Sequence, residues 1–142
     1  MALIRRGIQI VDGLCPRCGL VDEDSEHIFI SCLWTRCIWW NIFAWIRVPF
    51  PAEIHKLKNL IDFINGQPGC KIWKRVVFTI AMGTVWRVWL ARNEMVFKNR
   101  FIPISKLVES IKEDVFFWIK SRSKIAMPCW EKWKTFDIIE IL

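Results

Sequence analysis

The chain has 142 residues and is 54% hydrophobic and 14% aromatic, with ten Trp, ten Phe and no Tyr. That length allows about one domain, and so apolar a composition excludes a disordered chain. The formal net charge is +7, but residues 1–32 hold three basic and five acidic side chains (net −2), which leaves 18 basic and nine acidic (net +9) for the remainder. Any footprint for a polyanion therefore belongs downstream of residue 32.

Residues 1–14 read as a lead-in. LIRRGI resembles the end of a helix stopped by Gly7, and Ile8, Gln9, Ile10 and Val11 suit a short extended piece. Arg5 and Arg6 follow a very short apolar run, the wrong order for a signal peptide. The expectation is an intracellular, non-secreted protein, with the nucleus left open.

The next stretch, CPRCGLVDEDSEHIFISC, carries four soft ligands in order: Cys15, Cys18, His27 and Cys32. Two Cys separated by two residues can grip one ion from a tight turn, for which Pro16 and Gly19 are suited. Structural zinc takes four Cys or His ligands in a tetrahedron, and a site filled by protein leaves no place for substrate. The expected cofactor is therefore a structural zinc ion, with His27 and Cys32 supplied by a helical turn between Glu26 and Trp34. Cys37 in place of His27 is an alternative on ligand type, ranked lower because His27 lies in the interval a zinc fold uses. Six Cys in a chain without a secretion signal favour metal or free thiol over disulfides. Asp22, Glu23, Asp24 and Glu26 invite a two-metal reading, which a short loop without a shaped, dry pocket does not support.

Apolar spacing predicts four helices after this turn. Residues 33–47 place Trp39, Ile42, Phe43 and Ile46 on one face, and Pro49 and Pro51 end the helix. Residues 52–65 align Ile54, Leu57, Ile61 and Ile64, with Gly66 as the terminator and His55 as a surface histidine. Residues 71–98 form the longest helix. Lys71, Lys74 and Arg75 crowd its start, against the helix dipole. Val76 to Ala91 carries only the charge of Arg87, yet falls short of the ~20 apolar residues of a membrane span. This predicts a central core helix with no membrane association, in which Gly83 permits close approach of a neighbour and Arg92 and Asn93 emerge as polar groups. Residues 103–122 start at Pro103 and line up Ile104, Leu107, Ile111, Val115, Trp118 and Ile119 for packing against the long helix. Residues 123–142, with Trp130, Trp133 and Phe136, read as a tail folded back. The fold class is mainly α: a zinc-stapled N-terminal turn and about four helices. The reading takes residues 1–142 as a single domain, with a zinc module at 12–34, a helical body at 35–122 and a Trp-rich tail at 123–142.

No Gly-rich phosphate loop appears, and no Ser or Cys has a His at a recognisable spacing. Cys70 and Cys129 read as free thiols. The chain is expected not to be an enzyme and to take no small-molecule substrate.

Taken together, LIRRGI, CPRCG, SEHIFISC, VWRVWLARNEMVF, IKEDVFFWIKSR and WEKW resemble the zinc-binding domain that follows the polymerase in plant LINE-type (non-LTR) retrotransposon reverse transcriptases. The likeness runs from Leu3 to Trp133, and Trp86, Trp89, Arg92 and Asn93 match the family's W-x-x-W-x-x-R-N element. The resemblance implies zinc on Cys15, Cys18, His27 and Cys32. It also implies an N-terminally truncated member, because the family's segment begins upstream; the missing helix would expose apolar surface and lower solubility. The paired catalytic aspartates of a polymerase are not present in this sequence. The function so implied is binding of RNA or DNA, for which Lys71, Lys74 and Arg75, and Lys120, Arg122 and Lys124, are the densest basic clusters. Two other readings stand beside it. One is a structural or protein-interaction module that docks on the parent polymerase or on a second copy. The other is a decayed retroelement fragment without selected function.

Overall fold

Apolar residues at three- and four-residue spacing call for helices that bury one face each. The computed structural model describes residues 14–20 and 23–142. The expected helix end at Gly7 and the extended piece at residues 8–11 lie outside these described residues. Among the described residues the chain is mainly helical and has no strand.

A π-helical turn, His27–Ser31, leads into α1, Leu33–Ile46. Trp39, Ile42, Phe43 and Ile46 are all buried. Arg47 ends the helix in the left-handed conformation (φ 61°), and its guanidinium donates to the Thr135 carbonyl at 2.9 Å. The expected second helix begins later than its apolar spacing suggested: α2 runs Leu57–Asn65. The carbonyls of Ala52, Ile54 and His55 have other partners. Arg36 donates to the Ala52 and Ile54 carbonyls, and the Ser31 hydroxyl donates to His55. The Glu26 carboxylate accepts from the Leu57 N–H at 3.0 Å, which satisfies one of the donors that a helix start leaves open.

The long helix α3 spans Lys71–Lys98 and α4 spans Ile104–Arg122. A short link joins them, and they run antiparallel. Gly83 sits where an added Cβ would meet Val115 Cγ2 at 2.7 Å, so the two backbones approach closely at this point. Arg87 forms a two-pronged pair with Asp114, at 2.5 and 2.9 Å. Leu107, Ile111, Val115 and Ile119 are buried as their spacing predicts. The tail folds back as expected. Its short helix α5, Trp130–Lys134, buries Trp133 completely, edge-on to Trp45 at 5.1 Å. The Trp133 indole N–H donates to the Lys112 carbonyl at 2.9 Å. No helix among the described residues is long and apolar enough to cross a membrane.

Candidate metal centre

The first half of the site is a turn. The Gly19 N–H donates to the Cys15 carbonyl at 2.8 Å, and Gly19 has φ +66°, a conformation that favours glycine. Cys15 and Cys18 flank that turn. The second half is the π-helical turn. Its bond from the Cys32 N–H to the His27 carbonyl (2.8 Å) spans five residues. In an α-helix residues five apart diverge by about 140° beyond one turn; the wider turn brings them nearer to one side, and such turns recur at functional sites.

Widening a turn leaves backbone groups to be satisfied elsewhere. The Asp24 carboxylate accepts from the His27 N–H at 2.7 Å. The Thr35 hydroxyl donates to the Ile28 carbonyl at 2.7 Å, and the Trp39 indole donates to the Phe29 carbonyl at 2.7 Å. Thr35 and Trp39 hold the turn in place from α1, and Asp24 from the loop before it.

The result brings all four sequence-predicted ligands together. One donor atom from each of Cys15, Cys18, His27 and Cys32 lies within 4.8 Å of every other. Cys15 Sγ and Cys32 Sγ are 3.7 Å apart, and Cys18 Sγ is 3.3 Å from His27 Nε2. A disulfide would need about 2.05 Å. A tetrahedron with Zn–S of about 2.3 Å has sulfur–sulfur edges of about 3.8 Å. Donor set and spacing thus fit an ion such as zinc, held by the protein on all four sides. Cys37 is exposed on α1 and stands outside the group. His55 is exposed. Among the described residues no other cluster of three or more His, Cys, Asp or Glu could hold a metal.

The electrostatics around the group are those of a site built for negative charge. The hydrogen bond from Cys32 brings the Cys15 thiol down to about 4, while that same pairing and burial push the Cys32 thiol up. The two share one proton. Arg17, inside the CPRC turn, is a cation that burial alone would weaken and that the charges of Cys32 and Cys15 support. Its guanidinium lies 4.4 Å over the Trp34 ring and donates to the Ile28 carbonyl at 3.3 Å. Three thiolates and a neutral imidazole around a divalent ion carry a net charge of about −1, which Arg17 balances.

The acidic loop has a role that its composition did not reveal. Glu23 and Arg92 form a fully buried pair, with side chains 3% and 0% exposed, joined at 2.5 and 3.1 Å. Arg92 therefore does not emerge from α3 as expected. It anchors the metal-bearing loop onto that helix. Asp24 caps the turn and Glu26 caps α2, so each of these three acids has its own partner.

The six basic residues are placed at one end of the helix pair. Lys71, Lys74 and Arg75 lie in the first turns of α3, and Lys120, Arg122 and Lys124 at the end of α4. Because the helices are antiparallel, the two clusters adjoin. Arg75 and Lys124 line one open cleft of about 540 Å³ together with Ile72 and Met127. Glu140 also lines it, with its carboxylate paired to Lys132.

No family model, curated protein or solved structure matches the chain. Its own geometry shows a small helical domain with a group of three Cys and one His that could hold a metal ion.

Proposed function

We propose that the chain is a non-catalytic, zinc-stapled helical module that binds nucleic acid, RNA or DNA, through the basic end of α3 and α4. The resemblance to the zinc-binding domain of plant LINE-type reverse transcriptases supports this reading. The observation that carries it is the cleft that Arg75 and Lys124 line together, one residue from each of the two clusters (Lys71, Lys74 and Arg75; Lys120, Arg122 and Lys124), which lie about 50 residues apart in sequence. Phosphate backbones bind such patches by releasing condensed counterions. Arg17 and Glu23 seat the loop against the opposite half of α3, at Val88 and Arg92, away from this end, and a metal on the four ligands would hold it there.

The test is a salt titration of oligonucleotide binding by the zinc-loaded chain. Six phosphate contacts give a slope of log K against log salt of about −5 on duplex DNA and about −4 on single strands. Replacing Arg75 and Lys124 by Gln removes two contacts and should flatten the slope by about 1.8 on duplex and about 1.4 on single strands. Binding that ignores salt, or a slope unmoved by the double substitution, would overturn the assignment and favour docking on protein.

A further inference from the structure

Among the described residues, α3 packs on α4, on the turn His27–Ser31, on α2 and on α1, and one arc of it stays exposed. Gly83 and Arg87 face α4. Val88, Trp89 and Arg92 face the metal-bearing segment, through Arg17, Phe29 and Glu23. The exposed arc carries Phe78, Trp86 and Phe97, exposed by 42%, 49% and 56%, while Trp89, which lies between Phe78 and Trp86 by helical angle, is covered by Phe29. At about 100° per residue these three fall within an arc of about 100°. None of them makes a ring–ring contact among the described residues, whereas Trp39, Trp45, Trp89, Trp130 and Trp133 each do.

The charge on this arc has one sign. Lys71 and Arg75, both exposed, lie on the same arc at its N-terminal end. The single acidic residue of α3, Glu94, lies off it and is paired with Lys98 and Arg100. A row of unstacked rings that begins in a basic cluster and meets no acid complements a polyanion with free aromatic faces. Duplex DNA keeps its bases stacked inside; a single strand presents them. Proteins that hold single strands combine a basic track with aromatic side chains on which bases stack.

We propose that the exposed face of α3 is a stacking platform for single-stranded nucleic acid, with Trp86 and Phe97 as base-stacking residues and Lys71 and Arg75 holding the phosphates where the strand enters. This rests on the nucleic-acid reading above and narrows it to single strands. The rings stand about 12 Å and about 17 Å apart at 1.5 Å per residue, so each would stack a separate base along the strand.

The experiment compares a labelled single strand of about 15 nucleotides with a duplex of the same sequence, using the zinc-loaded full chain and fluorescence anisotropy. The expected result is tighter binding of the single strand. Trp86→Ala with Phe97→Ala should weaken single-strand binding by about 100-fold, about tenfold per stack, and leave duplex affinity and the salt slope unchanged. Trp86→Phe should keep most of the affinity. Far-UV circular dichroism checks that these surface variants fold. Single-strand affinity unchanged in the double Ala variant, with a steep salt slope still present, would overturn the platform while leaving the basic end intact. Sedimentation showing that the same substitutions abolish a dimer of the free chain would overturn it in favour of a second copy on this face. Absence of any oligonucleotide binding would remove the proposed function itself, and the platform with it.

Discussion

Arg17 shows how much a single side chain can contribute to the metal group without ligating it. A partly buried cation costs free energy unless negative charge stands close by. No carboxylate lies within ion-pair distance of Arg17 among the described residues; the charge that supports it comes from the Cys32 and Cys15 pair and, at longer range, from Glu23. The dependence runs both ways, since residues beyond the ligands typically tune metal affinity by about 10- to 100-fold. Arg17→Met keeps an apolar stem over Trp34 but removes the charge. Its zinc affinity, read by competition with a chromophoric chelator, should fall within that range, and Arg17→Lys should recover part of the loss. Equal affinity in the wild type and the Met variant would show that the cation is there for packing alone. Nothing in the sequence marks this role: Arg17 is simply one of the two residues that C-x2-C leaves open. The group of Cys15, Cys18, His27 and Cys32 was legible because a metal site demands a fixed set of donors at short spacings. Arg92 was not legible, because its partner Glu23 lies 69 residues away and only the folded chain brings them together.

At the scale of elements, periodicity was informative wherever helix faces decide burial. The stripe of Leu107, Ile111, Val115 and Ile119 lies buried as read. It failed at residues 52–56, where Arg36 and Ser31 reach from another element to claim carbonyls that a helix would have used; no local pattern encodes that competition. Gly83 was legible as a point of close approach, and the contact with Val115 makes it quantitative. In an exposed helix, Gly→Ala stabilises by up to about 1 kcal/mol. Here the new methyl would lie 2.7 Å from Val115 Cγ2. Val115 is fully buried, and a β-branched side chain in a helix has essentially one rotamer. Overpacking of this kind costs about 1–3 kcal/mol. Gly83→Ala should therefore lower the urea midpoint, with a net loss of about 1 kcal/mol once the propensity gain is subtracted from the middle of that range. A raised midpoint would mean that α3 and α4 move apart at little cost.

For the whole molecule, the question is whether a metal held by this group would make the fold or fasten one part of it. Classical zinc fingers are unfolded without their ion because they own too little core. This chain is larger: among the described residues, Ile28 and Ile30 of the turn join a core cluster whose other members come from the five helices and the tail. The turn is nonetheless tied to that core at several points: Glu23 to Arg92, Arg17 to the Val88 carbonyl, and the Trp39 indole to the Phe29 carbonyl. Its release would uncover parts of α1 and α3 without unmaking either helix. Chelation of the metal from the intact, reduced chain should thus leave most of the far-UV helical signal in place and change the near-UV signal of the Trp residues. A ligand present at about 1,000 times its dissociation constant contributes about 4 kcal/mol of stability. At about 3 °C per kcal/mol for a chain of this size, the thermal midpoint should fall by about 10 °C, and zinc should restore it. Loss of the helical signal on chelation would instead make the turn of Cys15, Cys18, His27 and Cys32 the nucleus on which the helices depend, and the buried Glu23–Arg92 pair the point through which that dependence reaches α3.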